Sequence, residues 1–275
     1  MLLGISSYTY GWAVANSPET GAAFLDEIGL VGQTLALGLR CLQLGDNLPL
    51  HTLSEDRLST LKTRLTSAGI RLELGARGLT EAHLTRYLDL ATRFEAPILR
   101  FVSDAPGYEP SPDALVGILK NALPELRRRN VTLGLENHDR FKARELAALL
   151  DRVGDERVGI CLDCVNSMGA GEGLEWVAGV LAPYTVNLHV KDFRAERLPH
   201  LMGFVIAGVP AGRGQTNLPW LLDTLAPYGR CQSAILEQWV VPETELTATV
   251  AKEKAWAEES MAYLKPFFPD SFKSI

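Results

Sequence analysis

Four short runs of the chain, LGLENHDRF (residues 133–141), ICLDCVNS (160–167), NLHVKDF (187–193) and AILEQW (234–239), follow one pattern. Each is an apolar stretch that meets a residue able to hold a metal ion: Glu136, Asp163, His189 and Glu237. Near-continuous apolar runs such as VTLGLE and VGICLD are what strands buried on both faces look like, and parallel sheets flanked by helices have such strands. Working outward, the same type of run recurs along the chain. Strands are predicted over 2–7, 39–44, 70–74, 97–102, 131–136, 158–163, 186–191 and 233–237. Helices are predicted between and after them, over 19–37, 54–68, 80–94, 112–129, 142–153, 172–181, 218–226 and 243–264. Eight βα units close a parallel barrel. The expected fold is therefore α/β, a (β/α)8 TIM barrel in which residues 1–275 form a single domain.

Local chemistry marks several of these boundaries. Ser111 before Pro112 reads as an N-cap with proline at the first helical position, and Thr80 and Asp139 are further candidate caps. Gly69 and Gly154 follow helices as C-terminal glycines do. Arg127, Arg128 and Arg129 form the densest basic run, placed where cations favour a helix C-terminus. One connection is disproportionate. Residues 192–217 separate the seventh strand from its helix, and a connection of that length inside a compact domain is usually functional or disordered. Met202, Phe204, Val205 and Ile206 argue against disorder. A hairpin over the barrel mouth and an oligomer contact both fit this loop.

Composition narrows the function. The formal net charge is -6 and the isoelectric point about 5.5, which disfavours a nucleic-acid partner. No apolar run approaches the roughly 18 residues that span a bilayer, so no membrane role is expected. The N-terminal MLLGISSYTYGW lacks the features of a signal peptide. Cys41, Cys161, Cys164 and Cys231 are too few for a disulfide framework in a chain this long. The expectation is a cytoplasmic protein.

Barrel enzymes carry their chemistry at the C-terminal strand ends. Three ionised carboxylates converging there would repel one another, and burying each unpaired would cost several kcal/mol or more. Ordinary salt bridges to loop Arg or Lys residues are one answer. A divalent cation bound by Glu136, Asp163, His189 and Glu237 is another, and four such residues on consecutive strands favour it. Three oxygen donors and one imidazole suit Mn²⁺, Mg²⁺ or Co²⁺; Zn²⁺ would favour more nitrogen or sulfur. The expected cofactor is one such ion, with Mn²⁺ as first choice. Strand alternation puts Asn187, His189 and Lys191 on one face. Lys191 then points toward the mouth, to hold a substrate oxygen or to pair with an acid.

On the motifs LGLENH, ICLDCVNS, LHVKDF, PAGRGQ and AILEQW the chain resembles the sugar phosphate isomerase/epimerase superfamily, the xylose-isomerase-like TIM barrels. The resemblance covers nearly the whole chain. It implies that Glu136, Asp163, His189 and Glu237 bind one divalent metal. It also implies that Glu136 and Glu237 exchange protons with a substrate carbon through a metal-stabilised enediolate. The expected activity is isomerisation or epimerisation of a small sugar, sugar acid or keto acid. The alternative is a lyase, a decarboxylase or dehydratase of an oxo-sugar acid or inosose on the same site. The partner implied is a small carbohydrate, with a homo-oligomer possible in principle.

The sequence departs from the epimerases at two places. Several of them have histidine three residues after the metal-binding aspartate, where this chain has Asn166, which cannot titrate near neutrality. They also use an arginine soon after the metal-binding histidine, for which Arg194 and Arg197 are candidates. Asn166, Lys191, Arg194, His200 and His138 are the expected substrate contacts, and the basic ones suit a carboxylate-bearing substrate. Endonuclease IV shares the superfamily but uses a three-zinc cluster with several histidines. Here the second and third strands end in LQLGDN and LELGAR, without histidine. Cys161 and Cys164 form a C-x-x-C whose sulfurs would point to opposite strand faces and could not share a zinc ion. Gly212-Arg213-Gly214 is too short for a dinucleotide fingerprint. His51 and His83 read as surface residues. Trp12 and Trp239, just beyond strand ends, suit either a sugar-facing wall or core packing.

Overall fold

The computed structural model describes residues 1–15 and 24–272. Its strands are β1 (Leu2–Ser6), β2 (Cys41–Leu44), β3 (Arg71–Arg77), β4 (Ile98–Val102), β5 (Thr132–Glu136), β6 (Val158–Asp163), β7 (Thr185–Val190), β8 (Asp192–Arg197), β9 (Phe204–Val209) and β10 (Ser233–Leu236). All but β8 and β9 pair in parallel to close a barrel in the order β1-β10-β7-β6-β5-β4-β3-β2. The helices are α1 (Gly11–Val14), α2 (Glu27–Ala36), α3 (Glu55–Ala68), α4 (Glu81–Phe94), α5 (Pro112–Arg129), α6 (Ala143–Val153), α7 (Leu174–Leu181), α8 (Leu218–Leu225) and α9 (Leu246–Leu264). The expected TIM barrel is the fold observed. Among the described residues, no helix is long and apolar enough to cross a membrane.

Most of the helices bury one largely apolar stripe. In α6 that stripe is Leu146, Leu149, Leu150 and Val153, spaced as neighbours on one helix face and all buried. Capping sets where the helices begin. The side chains of Asp26, Ser54, Thr80 and Ser111 accept the backbone N–H three residues on, and Pro112 occupies the first turn of α5. Gly69 and Gly154 close α3 and α6 in the left-handed region. The Asp26 cap starts α2 at Glu27, later than the helix expected from residue 19, and residues 16–23 lie outside the described part.

Three local expectations are corrected. Asp139 does not cap α6: the N–H of Lys142 goes to the Glu145 carboxylate at 2.8 Å, and Asp139 lies against His138. β3 continues three residues past its expected end, through Gly75 and Ala76 to Arg77. Gly75 lies inside the strand. A Cβ at that position would stand 2.9 Å from Gly45 Cα, so the glycine permits close approach of β3 to the chain after β2. His51 and His83 are not simple surface residues. Both are half-buried, His51 Nδ1 lies 3.2 Å from the Tyr87 hydroxyl, and the His83 ring packs edge-on against Phe101. His83 and Tyr87 are one helical turn apart on α4, which brings both to its inner face. Burial pushes both imidazoles below their usual range.

The long connection after β7 is ordered around one carboxylate. β8 and β9 form an antiparallel hairpin from Asp192↔Val209 to Arg197↔Phe204. Its tip is apolar and exposed at Leu201, Met202, Phe204, Val205 and Ile206. At its base Asp192 is buried and accepts backbone N–H groups from Phe193, Gly212, Gly214 and Thr216 at 2.8–3.0 Å. The glycine loop PAGRGQ is thus a nest of donors already filled by the protein's own carboxylate. Trp239 ties the hairpin to the end of β10 by donating its Nε1–H to the Asp192 carbonyl. Asp192→Ala is expected to lose about 1–3 kcal/mol, since it strands buried donors. Hydrogen exchange should quicken selectively at Gly212, Gly214 and Thr216 while the barrel strands stay protected.

Candidate metal centre

Strand register assembles the site. Asp163 ends β6 directly beside His189 of β7, and Ile235 of β10 flanks His189 on its other side. Glu237 follows β10 and is held by its N–H to the Val190 carbonyl. Glu136 ends β5. All four side chains are 3% exposed or less. His189 Nδ1 stands 3.7 Å from Glu136 Oε2, 3.9 Å from Asp163 Oδ2 and 3.5 Å from Glu237 Oε2. The ligand atoms of Asp163, His189 and Glu237 all lie within 4.8 Å of one another. Glu136, Cys161 and His189 form a second such group, so the Cys161 sulfur lies just below the first.

Two buried atoms here have no hydrogen-bond partner, His189 Nδ1 and Asp163 Oδ2. Asp163 Oδ2 has the Lys191 ammonium at 2.7 Å, an ion pair outside hydrogen-bond geometry. Native interiors rarely leave such atoms orphaned. An imidazole lone pair and a carboxylate oxygen aimed at one point, with two further carboxylates beside them, are a donor set that fits a divalent cation. The other carboxylate oxygens are fixed by permanent donors. Asp163 Oδ1 accepts the N–H groups of Val165 and Asn166, Glu136 Oε1 accepts the Asn166 amide, and Glu237 Oε1 accepts the Ser6 hydroxyl. Asn137, fully buried, straps β5 to β6 by bonding both the N–H and the carbonyl of Asp163.

The acids also have protein cations. Lys191 bridges Asp163 and Glu237, at 2.7 and 3.2 Å. Arg100, in the middle of β4 and 3% exposed, donates Nε to Glu136 Oε2 and Nη1 to Asp46. Arg77 holds the other oxygen of Asp46 at 3.0 Å. Burial would raise the Asp46 carboxyl, but Arg100 and Arg77 outweigh it and hold it down at about 2. Burial lowers Lys191 and Arg100, but the surrounding carboxylates outweigh it and push both above their ordinary range. Glu237 is likewise raised by burial but lowered more by the charges around it, from Lys191, Arg100 and, only when its imidazole is protonated, His189.

Of the expected substrate contacts, three are near the cluster. Lys191 and Asn166 touch it directly and each other, at 3.3 Å. His138 is half-buried, with Nε2 3.4 Å from Arg77 Nη2. Arg194 and His200 are on the hairpin and exposed. Arg194 donates to the Arg213 carbonyl and pairs with Glu196, and His200 Nδ1 accepts the Met202 N–H. Cys161 faces inward and donates to Asn187 Oδ1, whereas Cys164 donates to the Lys191 carbonyl. Trp12 donates its Nε1–H to the Val240 carbonyl. Arg100, Asp46 and Arg77 escaped the sequence reading. The available signal was Arg100 itself, a charge inside the apolar run ILRFV, which must be paired where it is buried.

The chain belongs to the xylose isomerase-like TIM barrel family, whose model matches residues 32–267. Among characterised relatives it is 33% identical over 267 residues to a 3-oxo-isoapionate decarboxylase of Pectobacterium atrosepticum, covering 96% of this chain and 95% of that protein. Among solved structures it is similar to D-psicose 3-epimerase in the presence of D-fructose, with a TM-score of 0.73, 15% identity and coverage of 98% and 99% of the two chains. It is also similar to a xylose isomerase-like TIM barrel protein from Mycobacterium smegmatis in complex with magnesium, with a TM-score of 0.69, 15% identity and coverage of 96% and 97%.

Because Arg100 neutralises both Glu136 and Asp46, Arg100→Met should leave buried charge uncompensated and lose about 3–5 kcal/mol of stability. Urea unfolding measures this. Excess Mg²⁺ should recover part of the loss, because a bound cation stabilises only the folded chain.

Proposed function

We propose that this protein is a divalent-metal-dependent decarboxylase of a 3-oxo sugar acid, the lyase alternative of the sequence reading. One observation carries the choice. Four carboxylates, Asp46, Glu136, Asp163 and Glu237, face three protein cations, Arg77, Arg100 and Lys191. With His189 neutral the cluster carries one net negative charge, and a divalent ion would turn that into one net positive charge. Such a centre favours an anionic substrate over a neutral ketose. The full-length similarity to a decarboxylase of a 3-oxo acid supports the same reading.

Glu136, Asp163, His189 and Glu237 would hold the ion, with Mn²⁺ the expected metal and Mg²⁺ the first alternative. When bound, it supplies Lewis-acid stabilisation where negative charge develops on a carbonyl oxygen. The chain's own residues do the rest. Lys191 and Asn166 border the cluster and orient a substrate oxygen. His138 and Arg77 lie beside it and add donors for the carboxylate end. The bond between the carboxyl carbon and C2 breaks, its electron pair moves toward the C3 carbonyl, carbon dioxide leaves, and C2 takes up one proton. Glu136 and Glu237 are the proton carriers in this proposal. Glu136 is anchored at both oxygens by Arg100 and Asn166, whereas Glu237 shares its Oε2 with Lys191.

Epimerisation is the second reading. Glu136 and Glu237 lie 3.7 and 3.5 Å from His189 Nδ1 and come from strands on opposite sides of β7 in the barrel order, so two carboxylates are available to one carbon. Product mass separates the two. Incubation of 3-oxo sugar acids with the Mn²⁺-loaded protein in D₂O should release carbon dioxide and leave deuterium on the carbon that bore the carboxyl group. A product that keeps every carbon atom and gains only deuterium from the solvent would discard the decarboxylase and keep the epimerase.

EDTA should abolish turnover and Mn²⁺ should restore it. Full activity with elemental analysis showing no metal would end both readings. Glu136→Gln and Glu237→Gln should each lower kcat by roughly 10², the usual contribution of general acid–base catalysis.

A further inference from the structure

Directly beneath the four candidate ligands the barrel interior is polar where aliphatic packing would be expected. Gln43 of β2, Glu73 of β3, Asn187 of β7 and Ser233 of β10 meet there, each 1% exposed or less. Glu73 is the costly member. A carboxylate buried completely is destabilising unless its oxygens are fully used. Its Oε1 pairs with Arg71, which comes from the opposite, N-terminal end of β3. Its Oε2 accepts the Gln43 amide at 3.3 Å and the Asn187 amide at 3.2 Å.

These contacts dictate the orientation of Gln43. Its NH₂ group is committed to Glu73 and to Asn187 Oδ1, the latter at 3.1 Å. An ionised carboxylate only accepts, so turning the amide over would set its oxygen against the oxygen of Glu73. The Gln43 carbonyl therefore points the other way, 2.7 Å from His189 Nε2. A carbonyl cannot donate, so His189 carries its proton on Nε2. Nδ1 keeps its lone pair, and Nδ1 is the atom that faces Glu136, Asp163 and Glu237 without a partner.

We propose that Glu73, acting through Gln43, is the positioning residue that fixes the ligand tautomer of His189 across the barrel. This rests on the metal-site reading above. Outer partners that orient a ligating histidine typically change metal affinity 10–100-fold when removed. Glu73→Gln is nearly isosteric, but it brings a donor and an acceptor to the contact and frees Gln43 to turn over. Gln43→Leu removes the carbonyl itself.

Mn²⁺ titration followed by the EPR signal of the free ion is expected to show each variant binding 10–100-fold more weakly than wild type. The double variant should bind no more weakly than Gln43→Leu alone, because Glu73 acts only through Gln43. Wild-type affinity in Glu73→Gln, or losses that multiply in the double variant, would overturn the proposal. A purely structural role for Glu73 would produce that multiplication. A second measurement needs no variant. In the Mg²⁺-loaded wild-type protein, ¹⁵N NMR of His189 should show Nε2 protonated and Nδ1 bare, and the opposite tautomer would refute the relay. Absence of any bound ion in wild type would overturn the metal site as well, so the two failures are distinguishable.

Discussion

Three carboxylates buried within a few ångströms of one imidazole are the constraint from which most of this interior follows. Like charges at such separations in a poorly solvated place cannot persist without cations. The protein answers from two sides. Lys191 on the β7 side reaches Asp163 and Glu237, and Arg100 on β4 reaches Glu136. Arg100 then needs Asp46, and Asp46 takes up Arg77, so one acid cluster organises the mouth from β2 round to β7.

The same logic operates downward. A histidine that must present a lone pair to the centre needs an acceptor behind it, and a carbonyl that must accept needs its own amide fixed. Gln43, Asn187 and Glu73 form that chain, with Arg71 balancing the charge at the far end. A polar core of this kind would be weaker than one of packed Leu and Val if function were not involved. It sits inside a shell of helices whose buried faces are largely apolar.

The loops divide into held and free parts. Asp192 occupies the glycine nest and Trp239 locks the hairpin base, yet the hairpin tip presents a cluster of apolar side chains to solvent. Arg194 and His200, which in sequence suited a carboxylate, lie on that hairpin and are engaged locally. Lys191, Asn166 and His138 lie on or just after the strands and are carried to the cluster by the barrel itself. Contact with the cluster thus follows attachment to the rigid strands more closely than it follows charge.

From its sequence alone this protein could be read as a barrel, and Glu136, Asp163, His189 and Glu237 could be named, because both rest on short-range patterns. Strands buried on two faces are continuous apolar runs, and residues that end such runs must lie together at one rim. Even the parity that sets Cys161 apart from Cys164 is a local property of the strand. Tertiary structure alone decided the partners. Arg100 stood inside an apolar run with no sign of which acid it met, and Gly75 concealed the extension of β3 that lifts Arg77 to the mouth. Gln43 and Glu73 looked like unremarkable strand residues, although Gln43 reaches His189 across the barrel and Glu73 holds Gln43. Those pairings join residues 30 to 146 positions apart. They depend on the stagger of the closed sheet, and a linear pattern of side chains carries no record of that stagger.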